Sequence, residues 1–399
     1  MKILIADKLP PETLEQLESL GHATSYAPGL SADDLLTALD DHQVLIVRST
    51  KVLEHVLEQN ASLELIIRAG AGTNNIHVET ASKKGIFVSN CPGKNAVAVA
   101  ELTMGLMLCL DRRIPMANAE IKATQWNKKE YSKAQGLLGK TLGVIGLGTI
   151  GQEVIRRAQS FGLHIVAWSR SLTPQQAESL SIGYAASLEE LAQNADILSI
   201  HLAYTNETSG LISKSVLENL KPNTHIINTS RGGILDDDAL LEILDDKELW
   251  YATDVFAQEP SSGSDTFKCA LAQHPRVIST PHIGASTTQA QNAVADAAIE
   301  IIQTYAEQGV ALNCVNLCAQ TPANWQINVR HHDQIGVLAN VLGLISKENI
   351  NVEECENIIF SGASSACAKI RLGAKPSDEL LANIKAVEHV LHTQLLSIS

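Results

Sequence analysis

The sequence predicts an α/β protein with two doubly wound domains, followed by a smaller βαββαβ domain. Three observations lead to this fold class. Short apolar runs alternate with helical patterns from Lys2 to Thr280, a glycine-rich turn joins a strand to a helix in mid-chain, and the pattern changes beyond Pro322. Such alternation is typical of parallel sheets covered by helices. A chain of 399 residues is also too long for one core, so two or three domains are expected.

The first domain is predicted over residues 1–95, and residues 288–318 are expected to return to it because Thr288–Glu307 reads as a helix after the second domain. A long, mostly apolar helix at Ala96–Cys109 is predicted to connect the two domains or to lie in an interface. The predicted elements of the first domain are strands at Lys2–Ala6, Val44–Val47, Leu63–Arg68 and Ile86–Ser89, and a helix at Pro11–Leu20.

The second domain, residues 96–287, repeats the alternation. Its strands are separated by helical stretches, which fits a complete doubly wound sheet. The six predicted strands are Leu142–Ile145, Ile165–Trp168, Ile197–His201, His225–Thr229, Leu249–Val255 and Val277–Thr280.

The third domain is predicted over residues 324–399. Its order of elements is βαββαβ, the ferredoxin-like arrangement. The predicted elements are Trp325–Arg330, Ile335–Lys347, Val352–Phe360, Ser365–Arg371, Ser377–Val387 and Val390–Leu396.

The composition excludes several function classes. The net charge of −14 makes nucleic acid and anionic membranes poor partners. Seven scattered cysteines, an odd number without a C-x-x-C pair, indicate reduced thiols rather than a disulfide framework or a metal site. The first residues lack the apolar core of a signal peptide, and no apolar run reaches membrane-spanning length. We therefore expect a cytoplasmic protein without a metal.

The glycine-rich turn predicts a dinucleotide site. An apolar strand at Thr141–Ile145 runs into Gly146, Gly148 and Gly151, and an amphipathic helix follows. The first glycine permits a tight turn, the second lets the backbone approach a pyrophosphate, and the third lets the helix pack closely on the strand. The helix N-terminus, with Thr149 and Ile150, then faces the phosphates. This pattern indicates a Rossmann-like domain.

Polar residues follow the later strands of the second domain. Ligands of open parallel sheets bind beyond the carboxyl ends of the strands, so these residues are expected to share one rim. Oxidation of a 2-hydroxy acid requires a base, and His282 fits that role. Glu259 is positioned to fix the histidine tautomer, Arg231 to grip the substrate carboxylate, and Asp254 to accept a hydrogen bond from a nicotinamide amide.

The first domain is expected to complete the substrate pocket. Basic residues and glycines follow two of its strands, and backbone N–H groups near glycines favour a bound anion. In an acidic chain, this local cluster suits a phosphorylated substrate. The predicted substrate-binding residues are Arg48, Lys51, Arg68, Ala69, Gly70, Asn95 and Arg231.

These residues lie in motifs that resemble the D-2-hydroxyacid dehydrogenase family, and within it the phosphoglycerate branch. The resemblance covers nearly the whole chain. It is carried by VRSTKV at 47–52, RAGAGTNN at 68–75, NCPGKNAVAVAEL at 90–102, GKTLGVIGLGTIG at 139–151, NTSRGGILDDDALLEIL at 228–244, TDVFAQEP at 253–260 and TPHIGAST at 280–287.

The resemblance implies a function. Arg231, Glu259 and His282 would be catalytic, and 3-phosphoglycerate would be oxidised to 3-phosphohydroxypyruvate with NAD, at the start of L-serine biosynthesis. It also implies a homodimer or homotetramer built on the nucleotide domain, and a C-terminal ACT domain, a module that binds amino acids. The expected cofactor contacts are Gly146, Gly148, Thr149, Ile150, Gly151, Ser169, Arg170, Thr229, Asp254, His282 and Gly284.

Two departures from the family pattern leave alternatives open. NAD-specific members resembling this chain carry an acidic residue where this chain has Ser169 and Arg170, a pair that suits the 2′-phosphate of NADP. An NADPH-dependent glyoxylate or hydroxypyruvate reductase is therefore an alternative, and a non-catalytic dinucleotide-sensing corepressor is another. The effector turn of the tail is also altered, but His331, Asp333 and Asn351 are expected to bind a small amino acid such as L-serine.

Overall fold

The structure, a computed structural model, describes residues 1–260 and 266–398. The chain divides into two compact units, residues 1–316 and residues 317–399. The first unit contains two parallel sheets, and the second contains an antiparallel sheet. This architecture confirms the predicted fold class, whereas the exact boundaries of the predicted domains stay a prediction.

The first sheet has five parallel strands in the order β2-β1-β3-β4-β5. Its strands are buried on both faces: Ile3 and Ile5 of β1 lie in one core and Leu4 in another. The edge strand β2 was not predicted because its sequence, ATSY, is largely exposed and shows no apolar run. The elements are β1 Lys2–Ile5, α1 Pro11–Ser19, β2 Ala23–Tyr26, α2 Asp34–Ala38, β3 Val44–Val47, α3 Glu54–Gln59, β4 Leu65–Arg68, α4 Val78–Lys83 and β5 Phe87–Asn90.

The second sheet has seven parallel strands in the order β12-β11-β10-β9-β6-β7-β8. The six predicted strands are present, and the seventh, β8, escaped prediction because it has only two residues. The elements are α5 Ala96–Arg112, α6 Ile114–Lys122, α7 Lys128–Tyr131, β6 Thr141–Ile145, α8 Thr149–Ser160, β7 His164–Trp168, α9 Pro174–Ser179, β8 Gly183–Tyr184, α10 Leu188–Asn194, β9 Ile197–Ile200, α11 Lys214–Glu218, β10 His225–Asn228, α12 Asp237–Ile243, β11 Trp250–Thr253, α13 Ala270–Gln273 and β12 Val277–Ser279.

Two long helices frame the sheets of the first unit. Helix α5 packs on the second sheet, where Leu106 and Met107 share a core with Val144 of β6. Helix α14, Thr288–Gln308, follows β12 and returns to the first sheet, where Ala298 and Ile302 share a core with strand β1. The chain therefore crosses twice between the regions that hold the two sheets. No helix among the described residues is long and apolar enough to cross a membrane.

The second unit contains the predicted βαββαβ order, with strands paired as β14-β15-β13-β16. Strand β15 alternates buried and half-buried residues, and its buried face packs under two helices through residues such as Ala368 and Ile370. The elements are β13 Trp325–His332, α15 Val337–Lys347, β14 Val352–Ile359, β15 Ser365–Leu372, α16 Asp378–Lys385 and β16 Val390–Ser397.

Candidate active site

The glycine turn lies between β6 and α8, at the centre of the second sheet. A Cβ atom on Gly146 would lie 2.3 Å from the carbonyl oxygen of His201, and one on Gly151 would lie 2.2 Å from the carbonyl oxygen of Gly146. Both positions therefore require glycine. A Cβ atom on Gly148 would meet no other atom within 4 Å among the described residues. The turn thus closes tightly below Gly148 and leaves open space above it, which suits the approach of a pyrophosphate.

The N-terminus of α8 is available to such a ligand. Gly148 is its N-cap residue and provides no side-chain cap for the first N–H groups, which belong to Thr149 and Ile150. Uncapped amides at a helix N-terminus, together with the helix dipole, attract phosphate. The residues present therefore fit the dinucleotide that the sequence predicts.

Ser169 and Arg170 lie next to this turn. The N–H of Gly146 donates to the carbonyl of Trp168, the last residue of β7, at 2.9 Å. The two residues that follow Trp168 are therefore adjacent to the glycine turn, where the adenosine ribose of a dinucleotide is recognised. The Arg170 side chain is exposed.

His282 and Glu259 form a hydrogen-bonded pair. Nδ1 of His282 lies 2.7 Å from a carboxylate oxygen of Glu259, whose other oxygen accepts the N–H of Phe256 at 3.0 Å. Burial by itself raises the pKa of Glu259, but these two hydrogen bonds and the nearby charges of His282 and Arg231 hold its pKa below the ordinary value. An ionised Glu259 keeps the proton of a neutral His282 on Nδ1, which leaves Nε2 as the basic nitrogen.

Asp254 holds the loop that carries His282. It is only 1% exposed. Its oxygens accept the hydroxyl of Thr280 at 2.5 Å and the backbone N–H groups of Ile283 and Gly284 at 2.8 and 2.7 Å. The sequence predicts that Asp254 also accepts from a nicotinamide amide, and that contact stays a prediction. The structure adds a role that sequence reasoning missed, since three donors converge on this carboxylate and fix the loop.

Arg231 projects from a turn after β10. The side chain of Asn228 donates to the carbonyl of Arg231 at 3.0 Å and accepts from the N–H and hydroxyl of Ser230 at 3.0 and 2.7 Å. A Cβ atom on Gly72 would lie 2.7 Å from a terminal nitrogen of Arg231, so the loop after β4 reaches this guanidinium. Burial lowers the pKa of Arg231, and the charge of Glu259 offsets part of that effect.

Three arginines form a cationic cluster that consists of Arg48, Arg68 and Arg231. Burial lowers the pKa of Arg68 to about 10, and the neighbouring charges of Arg231 and Arg48 contribute to this shift. The Nε atom of Arg68 is buried without a hydrogen-bond partner in the described part of the chain. Gly70, in the loop after β4, leaves room for the Arg68 side chain, because a Cβ there would overlap its guanidinium. Such a cluster is suited to an anion.

Four of the residues predicted to bind ligands remain to be described: Asn95, Lys51, Ala69 and Thr229. Asn95 is the N-cap residue of α5, and its Oδ1 is buried without a partner among the described residues, so it is available to a polar ligand. Lys51 is exposed and Ala69 is buried. The hydroxyl of Thr229 lies 2.8 Å from that of Thr103 in α5, so it is already engaged within the protein. The predicted contacts of all four with ligands stay predictions.

Sequence reasoning missed Asp7, the residue at the end of the first strand region. One of its carboxylate oxygens accepts the N–H groups of Arg48, Ser49 and Thr50 at 2.7, 3.0 and 3.0 Å. Asp7 thereby fixes the loop that carries Arg48. The only signal in the sequence is an acidic residue just beyond a buried strand, at the edge where ligands of parallel sheets bind.

The structure separates the predicted effector residues. His331 lies near the end of β13, buried, with Nε2 3.3 Å from Oδ1 of Asn357, and Asp333 follows this strand. Asn351 precedes β14, whose first residue pairs with Leu372, and Leu372 also pairs with Trp325 at the start of β13. The two ends of β13 are roughly 20–25 Å apart at the usual rise per residue. One site containing all three residues within a single chain is therefore excluded, because β14 starts at the opposite end of the sheet.

The fold and this site define a two-lobed dinucleotide-binding protein of the dehydrogenase kind. A family model described as D-isomer specific 2-hydroxyacid dehydrogenase, NAD binding domain, matches residues 104–284. A D-3-phosphoglycerate dehydrogenase of Methanocaldococcus jannaschii is 40% identical over 79% of this chain and 60% of its own length, and one of Bacillus subtilis is 34% identical over 88% and 65%. The chain belongs to the D-2-hydroxyacid dehydrogenase family, and its second sheet forms the NAD-binding domain. It spans about three fifths of the length of these curated relatives.

Solved structures give the same result. The TT0316 protein from Thermus thermophilus is 30% identical with a TM-score of 0.71, over 79% of this chain and 100% of that one. NAD⁺-bound 3-phosphoglycerate dehydrogenase of Entamoeba histolytica is 28% identical with a TM-score of 0.66, over 79% and 99%. An NADPH-dependent glyoxylate/hydroxypyruvate reductase of Sinorhizobium meliloti is 27% identical with a TM-score of 0.68, over 79% and 96%.

Proposed function

We propose that this chain oxidises 3-phosphoglycerate to 3-phosphohydroxypyruvate with NAD, as a D-3-phosphoglycerate dehydrogenase in the first step of L-serine biosynthesis. The observation that carries the proposal is the cluster of Arg48, Arg68 and Arg231, whose third member also influences the carboxylate of the His282–Glu259 pair. The substrate has two anionic groups, a carboxylate and a phosphate, on either side of the carbon that reacts. Guanidinium groups bind both kinds of anion through paired hydrogen bonds.

The residues divide the chemical work between them. Arg231 binds the substrate carboxylate and polarises the C2 oxygen, while Arg48 and Arg68 bind the phosphate. Nε2 of His282 takes the proton of the C2 hydroxyl as the carbon–oxygen double bond forms, and Glu259 stabilises the imidazolium that results. When bound, NAD supplies the acceptor for the hydride that leaves C2. In the reverse direction, the protonated His282 returns the proton to the same oxygen.

The test is an absorbance assay of nicotinamide reduction with 3-phosphoglycerate, and of its oxidation with 3-phosphohydroxypyruvate. We expect turnover with both phosphorylated compounds and much weaker turnover with glyoxylate. A second measurement uses Arg48→Met, which is expected to raise KM for the phosphorylated substrate more than for glyoxylate. Activity with glyoxylate and none with either phosphorylated compound would overturn the assignment.

One alternative has a specific observation in its favour. Ser169 and Arg170 suit NADP, and the similar Sinorhizobium meliloti structure is named an NADPH-dependent glyoxylate/hydroxypyruvate reductase. The arginine cluster favours a phosphorylated substrate over glyoxylate or hydroxypyruvate. The assay described above distinguishes the two activities. A non-catalytic dinucleotide sensor is disfavoured by the His282–Glu259 pair, because a sensor needs no base aimed at a substrate.

We also propose that two copies associate through α5 and α6. Two open cavities of about 590 and 510 Å³ lie along these helices and are lined mainly by apolar side chains such as Leu106 and Met116. Nearby, Ile121 and Trp126 are 52% and 82% exposed. Exposed apolar side chains and open cavities on the same two helices are typical of a protein interface, and a second copy of the chain is the proposed occupant.

Light scattering tests this association. The chain mass of 42.8 kDa should appear doubled, or doubled again, and Ile121→Asp should reduce it to that of a single chain. A single-chain mass for the unmodified protein would overturn the proposal.

We further assign the protein to the cytoplasm on its seven free cysteines, which a reducing compartment keeps as thiols. We also propose that the C-terminal unit binds L-serine, and calorimetric titration with L-serine tests this.

A further inference from the structure

The loop after β4 is held at two successive carbonyl groups by residues at the end of β5. The carbonyl of Gly70 accepts the N–H of Cys91 at 2.9 Å. The carbonyl of Ala71 accepts the side-chain amide of Asn90 at 2.6 Å. A peptide bond is planar and trans, so the N–H group across the bond from each carbonyl points in the opposite direction. The N–H groups of Ala71 and Gly72 are therefore turned away from β5.

These two N–H groups are free to bind a ligand beside Arg231. Neither donates a hydrogen bond to another group within residues 1–260 and 266–398. Gly72 lies against the guanidinium, because a Cβ atom on it would come within 2.7 Å of a terminal nitrogen of Arg231. Successive backbone N–H groups form a concave site for an anion, and a guanidinium binds a carboxylate through paired donors. The direction of the two amides therefore determines whether they bind the same carboxylate as Arg231.

Asn90 is held firmly enough to fix that direction. It is the last residue of β5, and its Cα is paired with that of Arg68 in β4. On the other side, its own N–H donates to the carbonyl of Asn313 at 3.3 Å, and its side chain is half-buried. A carbonyl oxygen can only accept, so the nitrogen of the Asn90 side chain must face Ala71. A donor on a strand that is paired on both sides has little freedom to move away from the loop.

We infer that Asn90 is a positioning residue for the substrate carboxylate, and that it acts through the loop after β4. By holding the carbonyl of Ala71, it keeps the N–H groups of Ala71 and Gly72 directed at the carboxylate that Arg231 binds. The inference rests on the proposed dehydrogenase function but not on the phosphorylated substrate, because every 2-hydroxy acid has this carboxylate. The carboxylate is bound alike in the substrate and in the transition state, so a misplaced loop changes KM rather than kcat.

Steady-state kinetics of Asn90→Ala test the inference. KM for 3-phosphohydroxypyruvate and KM for glyoxylate should rise by the same factor, about tenfold, because a hydrogen bond to a charged group contributes about that much, and kcat should change less than about threefold. Asn316→Ala is the matched control, since the Asn316 side chain bonds to the backbone of Val88 and Ile86 rather than to the loop. It should lower Tm and leave KM unchanged.

Two kinetic results would overturn the inference. One is an unchanged KM in Asn90→Ala, and the other is a rise in KM for 3-phosphohydroxypyruvate alone, which would place the effect at the phosphate. A protein that reduces glyoxylate but not 3-phosphohydroxypyruvate would instead contradict the proposed function, and the glyoxylate KM would still test Asn90.

Hydrogen exchange gives a second readout that requires no substrate. The N–H of Cys91 donates to the carbonyl of Gly70, so its exchange rate reports whether the loop stays in place. In Asn90→Ala this exchange should accelerate about tenfold, because the loop loses one of its two bonds to the end of β5. Asn90→Asp keeps the size of the side chain but cannot donate once ionised, so it should accelerate exchange at least as much. Unchanged exchange in both variants would show that other contacts hold the loop and would overturn the inference.

Discussion

At the rim of the second sheet, His282, Glu259 and Asp254 are tied into hydrogen bonds, whereas at the rim of the first sheet a buried nitrogen of Arg68 has no partner among the described residues. The first arrangement fixes a base before any substrate arrives. The second leaves a buried donor of a cationic cluster without a partner, and a bound anion would satisfy it. Proton transfer and substrate binding therefore require opposite properties. Proton transfer requires a base that hydrogen bonds hold in place, whereas anion binding requires donors that have no partner within the protein.

The largest expected effect comes from removing the base. His282→Gln should lower kcat by about 10³-fold or more, because general base catalysis contributes on that order, with cofactor affinity changed less than about threefold. Stopped-flow or steady-state absorbance gives kcat, and calorimetry gives the NADH affinity. A variant with kcat within tenfold of the unmodified protein would show that His282 is not the base.

Asp254 tests whether the ordered rim depends on its buried carboxylate. Asp254→Ala leaves the three donors of Thr280, Ile283 and Gly284 without an acceptor, so the free energy of unfolding of this unit should fall by about 3 kcal/mol. Activity should fall as well, because the loop carries His282. Chemical denaturation measures the change, and Asp246→Ala, an exposed carboxylate on the same unit, is the matched control. Equal stability of the two variants would mean that the loop is held by other contacts.

The sequence alone predicts the polar residues at the sheet edge, but it does not predict the groups that hold those residues in place. Arg231, Glu259 and His282 follow strand ends, and strand ends of parallel sheets meet at one edge, so their neighbourhood follows from topology alone. Asp7 acts through backbone N–H groups of a loop some forty residues further along, and such contacts leave no pattern in side-chain identity. The sequence also does not show at which end of the sheet β14 begins, so the separation of Asn351 from Asp333 within one chain was not foreseen, and amino-acid binding by these residues stays a prediction.

A substitution at Arg68 tests whether the arginine cluster binds an anion. Inorganic phosphate at about ten times its Kd should stabilise the unmodified protein by about 1.4 kcal/mol, seen as a higher Tm. In Arg68→Met the phosphate-induced rise should largely vanish, while Tm without phosphate should stay the same or increase, because a buried cation close to two others has been removed. Lys214→Ala is the control with an intact cluster. A phosphate effect that survives unchanged in Arg68→Met would place the anion elsewhere.

The smallest expected effect concerns Asp7. Its carboxylate orders the loop that carries Arg48, and it also places a negative charge near the arginine cluster. Asp7→Asn keeps the shape but weakens the hydrogen bonds to the loop of Arg48, which loosens that arginine and should raise KM for the phosphorylated substrate by about fivefold, roughly 1 kcal/mol, with kcat changed less than twofold. Removal of a negative charge near the cluster acts in the opposite direction. We expect order to prevail, because three hydrogen bonds converge on one oxygen whereas the charge of Asp7 has the smallest of the influences on Arg68. A lower KM in Asp7→Asn would show instead that the first rim is governed by net charge, and would remove the need for an ordered loop in substrate capture.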